Sequence, residues 1–195
     1  IAKPLLDQAI SNPQVGVISP KLYYYDPPDE IWYAGSDAHP WHFGTIHGFR
    51  HEKDTPQNSR VREIDYVWGA AMLIKAEVLR KIDGFDSDFF IYYEEVDFCR
   101  RAQNAGYKLL FVPEAKIWHK VGSAANNHWT AYHWNRSKML LYRKHARNKI
   151  HLFSLVVYAF LYAFLSPVIK NKSGNRGPLG PALKGLWTGL RKKAI

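Results

Sequence analysis

Every acidic side chain of this 195-residue chain lies within the first 114 residues. That region holds all 17 Asp and Glu and 12 of the 27 Lys and Arg, whereas residues 115–195 hold the other 15 Lys and Arg and no acid. A long segment without carboxylates has no internal ion pairs, so it suits a polyanionic partner such as an anionic membrane surface or a nucleic acid. The sequence therefore predicts two regions with different tasks, an acidic one suited to chemistry and a basic one suited to binding anions.

Composition narrows these possibilities. An apolar content of 47% is typical of a globular protein. The single cysteine, Cys99, excludes a disulfide scaffold and a cysteine-rich zinc site. The basic residues flank apolar runs instead of lining a polar groove, and no nucleic-acid-binding motif is present, so we predict a membrane surface and no nucleic acid as the anionic partner.

Local patterns predict a mixed α/β fold. Apolar runs bounded by Pro and Gly indicate strands, and apolar residues at three- and four-residue spacing indicate helices. Residues 36–63 show no period and are predicted to be a long loop. The predicted helices are 2–11, 76–82, 94–105 and 129–147; the predicted strands are 15–19, ended by Pro20, 31–34, 67–74 and 109–112, ended by Pro113, with 21–25 also extended.

Six carboxylates crowd into residues 83–97. A calcium loop of the EF-hand type is disfavoured, because Phe85 and Asp88 stand where an oxygen ligand and a glycine are needed. Two interpretations remain open from the residues alone. Glu94 and Glu95 can stabilise the start of a helix through its dipole, or one of them can act as a general base in a cleft.

Five motifs in a fixed order carry a resemblance to a known family. From about Val15 to about Arg147 the chain resembles the family 2 glycosyltransferases, and most closely the bacterial rhamnosyltransferase-like branch. The motifs are WGAAMLIK (68–75), GFD (84–86), FFIYYEEVDFCRR (89–101), GYK (106–108) with VPEA (112–115), and His119.

The resemblance implies a GT-A fold and an inverting transfer of a hexose or rhamnose. The sugar would pass from a nucleotide-sugar to an acceptor hydroxyl, in the synthesis of a cell-surface polysaccharide or glycolipid. In the family an acidic pair opens the helix after the aromatic run, and its second member is the general base. That member is Glu95 here, where Asp is usual, with Glu94 and Asp97 as further candidates; Asp97 is expected to orient the start of the helix.

The resemblance also implies binding residues. Trp68, Gly69, Ala70 and Ala71 are expected to bind substrate, because small residues would let a donor or acceptor lie against the strand; tight strand packing is the alternative. His119 corresponds to a metal-binding histidine of several relatives. The expected cofactor is Mg²⁺ or Mn²⁺, and its main binding motif is expected upstream of residue 1, as is the nucleotide-binding half of the fold. Residues 1–148 are therefore predicted to be the C-terminal, acceptor-side part of a GT-A domain.

The C-terminal region is predicted to be a basic, membrane-associating helical tail over 149–195. Residues 152–169 are almost wholly apolar, and a membrane span, an interfacial hairpin and a helix docked on the fold all remain open. Residues 182–190 place Leu183, Leu186, Trp187 and Leu190 on one helical face, which is typical of an interfacial amphipathic helix.

These features predict a protein at the cytoplasmic face of the cell membrane, either peripheral or with one span. Its acceptor is expected to be a saccharide or a polyprenyl-linked molecule. The alternative from another functional class is a non-catalytic, membrane-associated interaction module that retains part of the glycosyltransferase fold.

Overall fold

The computed structural model describes residues 1–47, 49–120, 128–165 and 178–192. They form two compact units: a sheet unit, Ile1–Asp86 with Glu95–Val121, and a helical unit, Ser87–Glu94 with Gly122–Ile195. The elements in chain order are α1 (Ala2–Ser11), β1 (Val15–Tyr24), β2 (Ile31–Tyr33), β3 (Ser36–Ala38), β4 (Thr45–His47), a 3₁₀ helix (Pro56–Asn58), β5 (Arg62–Ile64), β6 (Leu73–Ile74), α2 (Ala76–Ile82), α3 (Glu94–Asn104), β7 (Lys108–His119), α4 (His128–His145), α5 (Lys149–Leu165) and α6 (Leu179–Arg191).

Strand β1 is the centre of the five-stranded sheet. It pairs in parallel with β7 and antiparallel with β2 and β6, and β5 pairs antiparallel with β7. Val17, Ile18 and Leu22 of this strand are completely buried. Helix α1 covers the sheet with Leu5 and Ala9. Because β1 is covered by neighbours throughout, its sequence is a nearly continuous apolar run, which is why its first half is recognisable.

Both central strands continue through a proline that was predicted to end them. Pro20 lies opposite Val112, but the next residue, Lys21, lies opposite Lys116. The chain around Pro113 therefore bulges out of the ladder. Proline has no N–H to donate, and a bulge interrupts the ladder where that donor would be needed. The two predicted strand ends are thus wrong, because both prolines lie at one irregularity.

The loop predicted over 36–63 contains regular structure. Strands β3 and β4 form a separate two-stranded antiparallel sheet, and β5 joins the main sheet. Each of these strands has three residues, too few for alternation to be visible in the sequence. The strand predicted over 67–74 is also wrong in most of its length, since only Leu73 and Ile74 form β6, opposite Ile18 and Val17.

An ion pair between a fully buried lysine and a partly exposed aspartate fastens this long segment to the central strand. The Lys21 side chain is fully buried, and its Nζ donates to Asp54 Oδ1 at 2.7 Å and to Ser59 Oγ at 2.9 Å. The Tyr23 hydroxyl donates to the other Asp54 oxygen. Burial alone would raise the pKa of the Asp54 carboxyl, but the hydrogen bonds from Lys21, Tyr23 and Ser59 lower it to about 2. The carboxylate is therefore charged throughout the neutral range.

The four helices predicted before residue 148 are confirmed within a few residues. Helix α2 ends at Asp83, which adopts the left-handed conformation (φ 59°). Helix α3 buries Phe98, Cys99 and Ala102, the apolar face that its sequence predicts.

Two glycines of α6 allow two helices of the helical unit to pack closely. A Cβ on Gly185 would lie 2.2 Å from the Tyr132 carbonyl oxygen, and one on Gly189 would lie 2.4 Å from that of Arg136. Helix α6 therefore touches the backbone of α4. The buried face of α6 is formed by Ala182, Gly185, Leu186 and Gly189.

This packing concerns two sequence-based expectations. Of the predicted apolar face, Leu186 is completely buried, whereas Trp187 is 54% exposed. Helix α6 thus packs on α4 through its small residues, and its assignment to a membrane interface stays a prediction. The boundary at residues 148 and 149 also stays a prediction; α4, α5 and α6 belong to one compact unit.

Helix α5 has two contrasting faces. Leu155, Ala159 and Ala163, at four-residue spacing, are buried. No described helix is both long enough and apolar enough to cross a membrane; α5 has 17 residues, and residues 166–169 of the predicted segment lie outside the described chain. The exposed apolar side chains of its other face are Ile150, Phe153, Val157, Leu161, Phe164 and Leu165.

We predict that Asp54→Ala lowers the free energy of unfolding by about 3 kcal/mol, because it leaves the buried Lys21 ammonium without its carboxylate. Lys21→Met removes the buried charge itself and should lower the free energy of unfolding by a clearly smaller amount. Urea denaturation followed by tryptophan fluorescence measures both. Equal losses in the two variants would show that the uncompensated charge is not the cause.

We predict that Gly185→Ala loosens α6 from α4, because the added methyl group meets the Tyr132 carbonyl; overpacking of this kind costs about 1–3 kcal/mol. Gly180→Ala in the same helix is the matched control, since a Cβ there meets nothing within 4 Å. Hydrogen exchange over residues 179–191 should accelerate in the first variant only. Equal protection in both would contradict the packing described.

Candidate active site

Three aromatic side chains from distant parts of the sequence meet in the sheet unit. The ring of Trp32, on β2, lies 4.5 Å from that of Trp68, edge to face, and 4.4 Å from that of His119, at the end of β7. The Trp68 indole donates to the Tyr66 hydroxyl at 2.7 Å. Burial lowers the pKa of His119, so its imidazole is neutral at pH 7. The site thus combines flat aromatic faces with a neutral histidine.

The residues after Trp68 form a turn that lies beside the first turn of α3. The Ala71 amide donates to the Trp68 carbonyl at 3.3 Å, and Gly69 and Ala70 are exposed. A Cβ added to Gly69 would lie 3.6 Å from the Cβ of Glu95, an ordinary contact distance. The structure therefore brings the predicted substrate-binding turn next to the predicted base. Tight strand packing does not explain the small residues, because they lie in an exposed turn.

Glu94 and Glu95 open α3 at adjacent positions. Both side chains are half-buried. Burial raises the pKa of the Glu94 carboxyl, and its Oε2 has no hydrogen-bond partner among the described residues. At the start of a helix the backbone dipole favours a carboxylate, which suits Glu95 for accepting a proton. The pair therefore places two half-buried carboxyl groups at adjacent positions of the helix start.

Asp97 is completely buried and has an ion-pair partner. The Arg101 Nε donates to Asp97 Oδ2 at 2.8 Å. The same guanidinium donates to the Ile82 carbonyl at 2.6 Å and to the Gly84 carbonyl at 2.8 Å. Asp97 and Arg101 thus tie α3 to the end of α2. This geometry supports the expected orienting role of Asp97, and a catalytic role stays a prediction.

The described residues do not by themselves fit the expected cation. Among them, no group of three or more His, Cys, Asp or Glu side chains is arranged to hold a metal ion. Mg²⁺ and Mn²⁺ prefer oxygen ligands, and His119 contributes one imidazole that packs on Trp32. The assignment of His119 to a metal stays a prediction, and no step of the chemistry below passes through an ion.

Sequence reasoning missed how these residues are brought together. Trp32 is 36 positions before Trp68 and 87 before His119, so no local spacing connects them. The parallel pairing of β1 with β7 places Tyr24 beside His119 and so brings the three rings together. This placement depends on the register of the two strands. Arg101 was likewise missed, although its position four residues after Asp97 on one helix was a usable indication.

Comparison with known proteins identifies the family. Residues 6–172 match the model of the family described as glycosyl transferase family group 2. The chain belongs to this family, and the predicted resemblance is confirmed. Its mixed α/β sheet unit is consistent with a GT-A-like fold.

Several curated relatives are rhamnosyltransferases. The N-acetylglucosaminyl-diphospho-decaprenol L-rhamnosyltransferase of Mycobacterium tuberculosis is 24% identical over 147 residues, covering 66% of this chain and 46% of that protein. Rhamnosyltransferase WbbL of Escherichia coli is 36% identical over 50 residues, or 26% of this chain and 19% of that protein. A low-salt glycan biosynthesis hexosyltransferase, Agl10 of Haloferax volcanii, is 37% identical over 43 residues, covering 22% of this chain and 14% of that protein. The chain thus spans less than half the length of the relatives it matches.

Proposed function

We propose that this chain is part of an inverting glycosyltransferase that moves rhamnose, or another hexose, from a nucleotide-sugar to an acceptor hydroxyl in glycan synthesis. The observation that carries the proposal is the proximity of the Trp68 turn to the start of α3, where a Cβ added to Gly69 would lie 3.6 Å from the Cβ of Glu95. In the family pattern these two segments are the substrate-binding motif and the catalytic base. Family membership and the rhamnosyltransferase relatives support the same activity.

The proposed reaction is a single displacement at the anomeric carbon. The acceptor oxygen forms a bond to that carbon as the bond to the nucleoside diphosphate breaks, and the diphosphate leaves with the bonding electron pair. The transition state resembles an oxocarbenium ion, as in glycoside hydrolysis. The proton of the acceptor hydroxyl passes to the Glu95 carboxylate. Asp97 and Arg101 hold α3, and with it Glu95, in place.

The proposed acceptor is a saccharide linked to a polyprenyl diphosphate. The name of the mycobacterial relative specifies such a molecule, a decaprenol that carries N-acetylglucosamine through a diphosphate. An acceptor of this kind is embedded in the membrane through its lipid. The enzyme therefore has to work at the membrane surface, and the basic, acid-free region after residue 114 matches that requirement.

Helix α5 is the element that we propose lies on the membrane. Its exposed face presents Phe153, Val157 and Leu161 at helical spacing, with exposed fractions of 70%, 40% and 55%. Arg147 and Lys149 stand exposed at the start of this helix. Apolar side chains at the headgroup boundary combined with basic flanks are the features of an interfacial helix, and each Lys or Arg near an anionic leaflet adds about 1 kcal/mol. The proposed location is the cytoplasmic face of the cell membrane.

We expect Glu95→Gln, introduced into the full-length protein, to lower kcat by about 10²–10⁴-fold, because the acceptor proton loses its receiving carboxylate. Binding of the nucleotide-sugar should be unchanged. Transfer to a polyprenyl-diphosphate-linked N-acetylglucosamine, assayed with radiolabelled donor, measures the effect. Glu77→Gln is the matched control, since Glu77 is an exposed glutamate in the first turn of another helix.

The same assay distinguishes the alternatives. A large loss in Glu94→Gln with little loss in Glu95→Gln would move the base to Glu94. Normal transfer in both variants would remove the base assignment. Absence of any transfer by the unmodified full-length protein across a panel of nucleotide-sugars would favour the non-catalytic interaction module.

We expect the double variant Phe153→Ser/Leu161→Ser to bind at least tenfold more weakly to vesicles of phosphatidylglycerol and phosphatidylcholine, because two large apolar side chains no longer enter the interface. Ile10→Ser on α1 is the control, since Ile10 is 78% exposed and lies on another helix. Co-sedimentation at low and high salt measures binding. Equal sedimentation of the double variant and the control would contradict the assignment of α5.

A further inference from the structure

A second aromatic cluster lies within the helical unit, and the chemistry above makes no use of it. The loop before α3 contributes Phe90, Tyr92 and Tyr93, and α4 contributes Trp129, His133 and Trp134. Ring centroids are 5.1 Å apart for Tyr92 with Trp134, 5.1 Å for Tyr93 with Trp134, and 5.4 Å for Phe90 with His133. Trp129 closes the cluster at 4.5 Å from His133.

The cluster is built on a firmly held loop. Ser137 Oγ lies 3.1 Å from the Phe89 carbonyl and 2.8 Å from the Ile91 carbonyl, and Arg136 donates to the Asp88 carbonyl at 3.0 Å. Phe89 is buried, so it anchors the loop, whereas its neighbour Phe90 is 70% exposed. The hydrogen bonds therefore fix the backbone while the following ring faces solvent.

The backbone conformation of this loop is energetically unfavourable for three of its aromatic residues. Phe90, Tyr92 and Tyr93 have φ values of 63°, 63° and 65°, in the left-handed region that bulky side chains rarely adopt. A backbone of this kind persists where the surrounding contacts enforce it, and such residues cluster at functional sites. Here the enforced conformation turns three aromatic rings toward α4 instead of into a core.

The exposed rings favour a sugar as the bound molecule. Trp129 and Trp134 are 46% and 40% exposed, so the cluster is not filled by the protein itself. Its members are mostly tryptophan, tyrosine and histidine, which offer an apolar face together with a polar group. A pyranose ring has the matching surface of C–H faces edged by hydroxyls. A prenyl chain has only apolar surface, and the aliphatic face of α5 suits it better.

Two unpaired polar atoms in the same unit point to hydroxyl groups. His133 Nδ1 is buried without a hydrogen-bond partner among the described residues, and so is Glu94 Oε2. Glu94 follows Tyr93 directly, so it lies at the end of the aromatic loop. Buried polar atoms without partners are unfavourable unless a water molecule or a ligand satisfies them. Sugar hydroxyls are donors that both acceptors could use.

We propose that this cluster, together with Glu94 and His133, binds the saccharide of the acceptor. The rings of Trp129 and Trp134 stack on its C–H faces, while Glu94 and His133 accept hydrogen bonds from its hydroxyls. This inference rests on the proposed function, since it specifies how the same enzyme recognises its acceptor. The chemical class of ligand is an N-acetylhexosamine or a related pyranose, and the donor nucleotide has no part in it.

Saccharide binding by the full-length protein tests the proposal directly. Methyl N-acetylglucosaminide is the probe, with saturation-transfer NMR and calorimetric titration as readouts. Trp129→Ala and Trp134→Ala should each weaken binding about tenfold, because each removes one stacking face. Trp134→Phe retains a ring and should bind nearly as well as the unmodified protein. Trp187→Ala is the matched control, an exposed tryptophan of the helical unit outside the cluster.

Transfer kinetics separate this inference from the proposed function. Where transfer occurs, the acceptor KM should rise in Trp129→Ala and Trp134→Ala while the donor KM stays unchanged. Normal acceptor KM and normal probe binding in both variants would overturn the inference and leave the glycosyltransferase intact. If probe binding depends on both tryptophans but no transfer is detected, the saccharide-binding inference is supported and the proposed function is contradicted. Competition by a short prenyl phosphate instead of the sugar would assign the cluster to the lipid and overturn the proposal.

Discussion

The parallel pairing of β1 with β7 is the contact on which the sheet unit depends. It joins residues 15–24 to residues 108–119, about ninety positions later in the chain; β1 is almost wholly buried, and β7 is buried mainly around residues 109–115. Because β2 pairs with β1, this register also decides that Trp32 meets His119. The bulge at Pro20 and Pro113 is part of that register. A strand slip by one residue would turn every side chain to the opposite face, so the buried faces keep the pairing fixed.

The second constraint is the start of α3, where three acidic side chains lie close together. Glu94 and Glu95 occupy the helix start, where the backbone dipole stabilises negative charge. Asp97 differs from them, because it is completely buried and forms an ion pair with Arg101 that ties α3 to the end of α2. Three carboxyl groups within four residues thus differ in their settings: Glu94 and Glu95 are half-buried, and Asp97 is completely buried in an ion pair. The difference lies in burial and partners, since the side chains are chemically alike.

Residue type and spacing predicted a good part of this arrangement. The apolar spacing of Phe98, Cys99 and Ala102 predicted the buried face of α3, and the turn at Asp83 predicted the end of α2. Prediction failed where a local signal was overruled by a distant contact. Pro113 was expected to end its strand, but a bulge in the pairing of β1 with β7 lets the strand continue through it. The close approach of α6 to α4 at Gly185 and Gly189 was likewise not visible in the sequence, because it depends on the Tyr132 and Arg136 carbonyls of another helix.

The sequence by itself determined the acid-free C-terminal region, the positions of the main helices, and the ordered motifs that identify the family. These properties depend on residues close together in the chain, where periodicity, capping and charge are visible directly. Only the tertiary structure decided that Lys21 is neutralised by Asp54, that Trp32 joins Trp68 and His119, and that Trp129 and Trp134 meet the loop before α3. Such meetings are set by strand register and helix packing, which act between residues far apart in sequence and leave no local pattern.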